Sequence, residues 1–171
     1  MMDETESGSS TCIMLVPDES YRSRRPGTTE HHLTLAYFGR FPEGAMEPAR
    51  LRQALPNIAK NIGGKIPAVA NATGLFPDRD KYALVDLIDG IGTFYARKIV
   101  ESLFGMYSGG YDTAEVKIDY THGFTPHITR AYVTADQVAQ QPTLTLPGSP
   151  FEFTFESIGV WHGEYHYEVA L

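Results

Sequence analysis

Two short runs of this sequence pair a histidine with a threonine two residues later. The first is HLTLAY, in which His32 precedes Thr34, and the second is HITRAY, in which His127 precedes Thr129. The runs are identical at their His, Thr, Ala and Tyr positions, although the chain has only six histidines. Either run alone could be an ordinary strand whose His and Thr are simply hydrogen-bonded, but two matching copies favour one site built from two related segments.

The spacing of the two residues decides where they point. In a β-strand, residues i and i+2 share a face. Each histidine therefore lies on the side of its threonine, whereas the apolar residue between them, Leu33 or Ile128, points the other way. The apolar side can pack under helices, so the His/Thr side is expected to face a cleft, water or a partner.

Two histidines presented in this way suit the cleavage of a phosphodiester. One proton must leave the attacking oxygen and another must reach the leaving oxygen, and imidazole does either near neutral pH because its ordinary pKa is about 6.5. The hydroxyls of Thr34 and Thr129 can donate to the non-bridging oxygens, where charge gathers in the transition state. This chemistry requires no metal ion and no cofactor.

The other residues that could do chemistry form weaker patterns. His31 and His32 are adjacent, so in a strand they would point to opposite faces and could not easily share an ion. His162 and His166 lack an HExxH or CxxC context. Cys12 lies in the apolar run CIMLV, and there is no GxSxG elbow. We therefore expect neither a metal centre nor a nucleophilic Cys or Ser.

The elements that must position the two pairs are short strands, hairpins and two longer helices. Long hairpins with few βαβ spacings predict an α+β fold, with mostly antiparallel sheets and helices on one face. The predicted order is strand 11–17, loop 18–30, strand 31–38, a helix from Pro48, hairpin 66–88, a helix from Ile91, strands 114–119 and 125–133, a short helix and a C-terminal hairpin.

Both longer helices carry specific expectations. Pro56 interrupts the first, which predicts a kink or two short helices. The two glycines at 63–64 should end it. The second is predicted to bury an apolar stripe formed by Ile91, Phe94, Tyr95, Ile99 and Leu103.

Three local signals define the C-terminal third. Thr134 and Gln137 resemble a capping box that starts the short helix. The phase of the apolar residues in the last hairpin slips near Glu156 and Ser157, which predicts a β-bulge. Gly163 is predicted to turn the hairpin.

Length and charge limit the classes of function. The 171 residues, 42% of them hydrophobic, fit one domain, predicted at 11–171 after a disordered acidic tail at 1–10. The net charge of −7 lacks the basic footprint that duplex DNA or long RNA usually needs, so a nucleic-acid substrate should be small. No apolar run could span a membrane, and the single cysteine fits a reducing cytosol.

A few further residues are candidates for substrate contacts. The basic run RSRR at 22–25 is either a solvated loop or a phosphate-contacting loop through Arg24 and Arg25. Trp161 is predicted to point away from the core after the bulge, where it would either stack on a base or pack between two lobes. Tyr165 has the same two alternatives.

The two motifs resemble the paired HxT motifs of the two-histidine (2H) phosphoesterases, which include bacterial 2′-5′ RNA ligase-like proteins and cyclic nucleotide phosphodiesterases. Phe124 and Pro126 before His127 are similar to that family, as are the element order and the closing hairpin, so the resemblance covers about residues 11–171. It implies a bilobal fold of two pseudo-symmetric antiparallel sheets with a central cleft. His32 and His127 would be the acid/base pair, and Thr34 and Thr129 the phosphate-binding hydroxyls.

Two positions depart from the family pattern. Arg130 stands where an apolar residue is usual, and alternation places it on the face away from His127, which favours a structural or rim role. Tyr132 stands where relatives of the RNA ligases often carry Arg, which weighs against a typical RNA-repair substrate. The short link before the first motif is similar to compact versions carried by phages and prophages.

Three hypotheses follow from these residues. The first is a metal-independent phosphodiesterase, a hydrolase of small nucleotides such as cyclic oligonucleotide signals, 2′-5′ linkages or 2′,3′-cyclic phosphates. A phage enzyme of this kind would destroy an immune messenger in the host cytoplasm. The second is RNA-end processing at a terminal 2′,3′-cyclic phosphate, and the third is a protein that sequesters a nucleotide without cleaving it.

Overall fold

The computed structural model describes residues 8–25, 30–105, 116–121, 123–140 and 150–171. None of the helices in these ranges has the length and apolar character needed to cross a membrane. The elements follow one another in the order β1 (Ser9–Pro17), α1 (Glu19–Arg24), β2 (Leu33–Phe41), α2 (Glu47–Ile62), β3 (Ile66–Asp78), β4 (Lys81–Asp89), α3 (Ile91–Phe104), β5 (His127–Val133), α4 (Ala135–Gln140), β6 (Phe151–His162) and β7 (Tyr165–Ala170).

The described strands form one antiparallel sheet in the order β2-β1-β6-β3-β4-β5, and β7 pairs with β6 beside this path. The first half of β6 pairs with β3 and its second half with β7, while β1 runs along the opposite side. One strand therefore joins two halves, β2-β1-β6-β7 and β6-β3-β4-β5. The α+β prediction, an antiparallel sheet backed by helices, is confirmed, and the two sheets that the sequence suggested are continuous through β6.

The core lies between this sheet and the two longer helices. α2 packs against β6 and β7, and α3 packs against β2 and β3. The residues that point towards the helices from β1 and β6 include Ile13, Leu15, Ile158 and Val160, all with 0% exposure. The opposite side of these strands is therefore free to carry polar groups.

The predicted bulge in β6 is confirmed. The register between β1 and β6 skips Glu156, because Ser157 pairs with Val16 and Phe155 pairs with Pro17. An extra residue of this kind shifts the alternation by one position. Apolar residues before and after the bulge can therefore all reach the core.

Other local predictions are also confirmed. The Thr134 N–H donates to Gln137 Oε1 (2.8 Å), and the Gln137 N–H donates to Thr134 Oγ1 (3.2 Å), which is the reciprocal capping box expected before α4. The two hairpins turn at Arg79 and Gly163, both with φ of 56°. α2 ends at Gly63, whose φ of 86° is the left-handed conformation favoured at helix C-termini.

α2 is one 16-residue helix and not two short ones. Pro56 removes a backbone donor, which leaves the Arg52 carbonyl without its usual partner. Both residues lie on the exposed face of the helix, so water can hydrate that carbonyl. The buried side of α2, which includes Leu51, Leu55 and Ile58, is thus undisturbed.

The predicted buried face of α3 is correct for Ile99 and Leu103, which pack against the core, and wrong for the other three residues. Ile91, Phe94 and Tyr95 are exposed to 90%, 49% and 56%. The helix instead buries a face that contains a charged residue, and this face consists of Thr93, Ala96, Arg97, Val100 and Phe104. Burial of an arginine requires partners that an apolar periodicity does not report.

Several element boundaries also differ from the sequence prediction. β1 begins at Ser9, so residues 9 and 10 belong to the sheet and not to a tail; residues 1–7 lie outside the described ranges. The predicted loop at 18–30 contains α1, whose N-cap Asp18 accepts the Tyr21 N–H. Residues 116–119 are not a strand, and 114–115 lie outside the described ranges.

Candidate active site

The two motif histidines are held in the same way. His32 Nδ1 lies 3.1 Å from the carbonyl oxygen of Glu30, and His127 Nδ1 lies 2.7 Å from that of Thr125. A carbonyl only accepts, so Nδ1 must carry the hydrogen in both rings. Each neutral imidazole consequently presents a bare Nε2 lone pair, which is the atom that can take up or deliver a proton.

Both histidines lie where a strand begins at an edge of the sheet. His32 directly precedes β2 and His127 opens β5, and these are the first and last strands of the sheet order. The two edge strands approach each other within 8 Å between Cα atoms. The fold therefore brings the two separated motifs to one place.

A cleft of about 450 Å³ lies between these edges. Thr34 and His127 line it together, so each motif contributes one residue. The charge of His127 influences His32, which places the second imidazole within electrostatic reach of the first. Thr129 pairs with Val85 and is half-buried on the His127 side of β5.

Several further residues also line the cleft. They come from β2, β3, α3 and the segment before the second motif, and they include Tyr37, Phe76, Arg97, Asp119 and Phe124. Phe76 packs against the His127 ring, with centroids 4.8 Å apart at 68°. Tyr37 belongs to the first motif run and Phe124 was noted before the second, whereas only their places in the fold show that Phe76, Arg97 and Asp119 belong to the cleft.

Arg97 supplies a fixed guanidinium group to this cleft. The guanidinium is 6% exposed as a residue, donates from Nε to Glu101 (2.8 Å), and donates from Nη1 to the Leu35 carbonyl on β2. It also lies 5.3 Å from the centre of the Phe124 ring. Because Glu101 pairs with the guanidinium and Asp119 also lines the cleft, Arg97 contributes a fixed hydrogen-bond donor and not a net positive charge.

His32 packs against the ring of Trp161. Its centroid lies 4.3 Å from that of Trp161, and Trp161 stacks on His166 at 4.1 Å and 9°. Burial lowers the pKa of His32 below its ordinary value, and the charges of His127 and His166 lower it further, while the Glu30 hydrogen bond and charge act in the opposite direction. His32 is therefore favoured as a neutral imidazole.

The hydroxyl of Thr34 is anchored by the neighbouring strand. It hydrogen-bonds to the thiol of Cys12. Desolvation of this half-buried thiol raises its pKa to about 12, so it stays protonated near neutral pH. Cys12 is thus a neutral neighbour of Thr34, and its thiolate is too rare to serve as a nucleophile.

Trp161 lies at the site, but not as the open stacking surface that was one sequence prediction. Its ring already contacts both His32 and His166. The prediction for Tyr165 is wrong, because this residue lies one position before His166 on β7 and points to the opposite face. There its hydroxyl accepts a hydrogen bond from Arg52 of α2 (2.8 Å).

Sequence reasoning did not identify His166 as a site residue, although the pairing in the last hairpin places it beside Trp161. A two-residue turn at Gly163 pairs His162 with Tyr165 and hence Trp161 with His166, and paired residues share a face.

The prediction that Arg25 contacts a phosphate is wrong. Its side chain is 4% exposed, and Nε donates to the buried carboxylate of Asp86 (2.9 Å). Arg24 is exposed, and its guanidinium lies 5.0 Å from the centre of the Phe151 ring. Neither arginine lines the cleft. Arg130 lies near Asp86, on the side away from His127, as the alternation predicted.

Comparison with known proteins supports the fold. No family model matches the sequence, and no curated protein sequence matches it significantly. Solved structures that match over nearly their full length are Escherichia coli LigT (14% identity, TM-score 0.59, covering 97% of this chain and 96% of LigT), Kluyveromyces marxianus Usb1 (11%, 0.57, 96% and 99%) and Thermus thermophilus TT0787 (17%, 0.52, 95% and 94%).

LigT structures with 3′-AMP and with phosphate are similar to this chain at TM-scores of 0.56 and 0.55. The matched regions span both halves of the sheet and therefore both motif-bearing strands. The chain has a LigT-like fold.

Proposed function

We propose that this protein is a phosphodiesterase that cleaves small nucleotide phosphodiesters by acid–base catalysis with His32 and His127. The matched geometry of the two imidazoles carries the proposal. Each Nδ1 is held by the carbonyl two residues earlier, and each Nε2 is left for proton transfer. A site that only needed hydrogen-bonding groups would have no reason to prepare two histidines in the same way.

The reaction needs two coordinated proton transfers. One histidine removes the proton from an attacking oxygen, either of water or of an adjacent ribose hydroxyl, and that oxygen forms a bond to phosphorus. The other histidine donates a proton to the oxygen whose bond to phosphorus breaks. Thr34 and Thr129 donate hydrogen bonds to the non-bridging oxygens, where charge increases.

The cleft and the charge of the chain favour a small substrate. A volume of about 450 Å³ lies in the range of sites for small ligands, roughly 300 to 1,000 Å³. Arg97 offers one fixed hydrogen-bond donor, whereas the chain as a whole carries −7. The 3′-AMP bound to LigT is a ligand of matching size. We therefore propose cyclic oligonucleotide signals, 2′-5′ dinucleotides and 2′,3′-cyclic mononucleotides as the substrate classes.

The experiment is a digest of these three classes in the presence of EDTA. We expect wild type to cleave at least one class, and His32→Ala and His127→Ala to lose roughly 10²- to 10⁴-fold in kcat/KM, the usual contribution of one general acid or base. Thr129→Val should lower kcat/KM by a smaller factor, because it removes only one hydrogen bond to the charged non-bridging oxygens. Tyr165→Phe is the control and should keep wild-type activity, because the Tyr165 hydroxyl accepts from Arg52 of α2 and the residue does not line the cleft.

Two outcomes would contradict the proposal. One is a wild type that cleaves nothing in the panel; heat denaturation of the protein then shows whether a nucleotide was held and is released unchanged. The other is activity that survives both histidine substitutions. Cleavage only of a longer RNA with a 2′,3′-cyclic end, with affinity that falls steeply with salt, would instead indicate RNA-end processing.

A further inference from the structure

His32 belongs to a closed ring of contacts that includes three residues outside the motifs. The backbone carbonyl of Glu30 accepts from His32 Nδ1 (3.1 Å), and the carboxylate of the same residue lies 3.1 Å from His166 Nδ1. His166 stacks on Trp161 (4.1 Å, 9°), and Trp161 contacts His32 (4.3 Å, 54°). The contacts thus lead from His32 through Glu30, His166 on β7 and Trp161 on β6 back to His32.

Each contact restrains a different freedom of His32. The carbonyl of Glu30 determines which ring nitrogen carries the hydrogen, and Trp161 limits rotation of the ring. His166 keeps Trp161 in place by stacking, and its bond to the Glu30 carboxylate ties the hairpin to the segment before the first motif. His166 Nε2 is also 3.1 Å from the Gly163 carbonyl, which fixes the ring on the hairpin.

The other motif histidine lies in a different environment. His127 shares the carbonyl hydrogen bond, but its ring packs against the edge of Phe76 and lines the cleft. Phe76 carries no charge, whereas the surroundings of His32 include a second imidazole and a carboxylate. The two rings are alike in orientation and unlike in electrostatics, and acid and base roles are separated by such differences in environment.

We propose that Glu30, Trp161 and His166 are positioning residues that fix the orientation of His32, and that His32 is the neutral histidine of the pair. On this assignment, His32 accepts the proton of the attacking oxygen, and His127 delivers the proton to the leaving oxygen. The assignment of roles rests on the proposed function, while the positioning contacts stand on the structure alone.

The electrostatic sign of each partner follows from the groups that face His32. Burial, His127 across the cleft and His166 from β7 all lower the pKa of His32, and Glu30 raises it. Removing the His166 imidazole removes a ring that is positively charged when protonated and also frees the Glu30 carboxylate from its partner. Both changes favour the protonated form, so the pKa of His32 rises; Glu30→Gln has the opposite effect.

The test is an NMR titration of histidine-labelled protein, with the His32 signal assigned by its absence in His32→Ala. His166→Phe keeps a ring on Trp161 and removes the charge, whereas His166→Gln removes both. We expect the His32 pKa to rise in both variants and to fall in Glu30→Gln. Tyr165→Phe changes the neighbouring residue on the opposite face of β7 and should leave the titration unchanged.

Activity on the substrate found in the digest gives the second readout. The acidic limb of kcat/KM against pH reports the base, so it should move to higher pH in both His166 variants while the alkaline limb stays. We also expect kcat to fall about tenfold in His166→Gln and less in His166→Phe, because misplacement of a reacting group slows the chemistry. A residue that only stabilised the fold would move neither limb.

The outcomes separate the two claims. An unshifted His32 titration in both His166 variants would refute the positioning set, whatever the enzyme cleaves, because this measurement needs no substrate. Movement of the alkaline limb in place of the acidic limb would refute His32 as the base. A wild type that cleaves nothing would refute the proposed function, and the role of His32 in proton transfer with it, even if the titration moved as expected.

Discussion

Asp86 is the residue whose charge we expect the fold to need most. Its carboxylate has no exposure and accepts from the Tyr21 hydroxyl (2.7 Å) and from Arg25 Nε (2.9 Å). The carboxylate also acts on the half-buried guanidinium of Arg130. Asp86 lies on β4 opposite Ile128, between the His and Thr of the second motif, while Tyr21 and Arg25 belong to the segment that leads to the first.

We expect Asp86→Asn to destabilise the protein by about 3 to 5 kcal/mol, because loss of one partner leaves a buried guanidinium uncompensated. Asn keeps the volume and one acceptor oxygen, so the loss reports charge and not a cavity. For a chain of 171 residues, at about 2 to 4 °C per kcal/mol, the melting temperature should fall by roughly 6 to 20 °C. Tyr21→Phe removes one hydrogen bond to a charged group and should cost about 1.5 to 3 kcal/mol.

Urea unfolding monitored by circular dichroism measures these differences. The matched control is Lys98→Gln, which removes the cation of an exposed pair with Glu101 (3.0 Å; Lys98 side chain 78% exposed) and should cost at most about 1 kcal/mol. If Asp86→Asn costs no more than this control, the buried charge cluster does not contribute as its geometry implies, and the reasoning is refuted.

The contribution of Tyr21 to the free energy of unfolding depends on pH. Burial, and then the hydrogen bond to Asp86, raise the pKa of Tyr21 above its ordinary value. A raised pKa in the folded state contributes stability that is complete below the unfolded pKa, about 10, and is lost as the pH rises above it. The free energy of unfolding of wild type should therefore decline above about pH 10, and less steeply in Tyr21→Phe.

Two further predictions concern the strands beneath the site. Burial raises the pKa of Cys12 to about 12, and its thiol is hydrogen-bonded to Thr34. In the folded protein at pH 8, Cys12 should therefore react with a thiol reagent on the order of a thousandfold more slowly than in urea. Equal rates in the two conditions would contradict the desolvation of the thiol. Gly159→Ala should cost about 1 to 3 kcal/mol, because an added Cβ would lie 2.8 Å from the Tyr167 carbonyl oxygen and 2.9 Å from Met14 Cε; an unchanged urea midpoint would show that this contact is looser.

Local rules predicted the parts of the fold that depend on neighbours in sequence. The slip of apolar phase near Glu156 is a property of one strand, and the capping box of Thr134 and Gln137 lies within one turn. The same holds for the side on which His32 and Thr34 lie. Such features need no knowledge of the rest of the chain.

Predictions failed where a polar residue has a distant partner. Arg25 lies in a basic run that sequence patterns associate with solvent or phosphate, but its partner, Asp86, is 61 residues away. Arg97 turns the face of α3 towards β2 because Glu101 and the Leu35 carbonyl satisfy its guanidinium. Hydrophobic periodicity assigns charged residues to the surface, so it excluded Arg97 and placed Ile91, Phe94 and Tyr95 on the buried face.

The error at Tyr165 has a different cause, because the information was present. Gly163 and Glu164 form a two-residue turn, which makes His162 and Tyr165 a direct pair. Tyr165 therefore shares the face of His162 and not that of Trp161. Counting through the turn, in place of judging each aromatic residue alone, identifies His166 as the partner of Trp161.

The position of each motif at the start of an edge strand explains why the two histidines can be held alike. The carbonyls of Glu30 and Thr125 precede β2 and β5, so neither takes part in the strand pairing. Each can accept from an imidazole two residues later without loss of a sheet hydrogen bond. In the second motif, Pro126 has no N–H, and its own carbonyl accepts from Ile88 (3.0 Å), which secures the approach to β5.

An unpaired strand edge can pair with a further strand unless other groups satisfy it. The way in which the β2 edge is satisfied also leaves room for the cleft. Along β2, the carbonyl oxygens of Leu35 and Tyr37 accept from the Arg97 guanidinium and from the Asp119 N–H (2.7 Å). These donors satisfy the edge without adding a strand, and both residues line the cleft. A further strand paired with β2 would occupy the space in front of Thr34 and His127. The groups that protect this edge thus also keep open the volume in which a phosphodiester can reach both motifs.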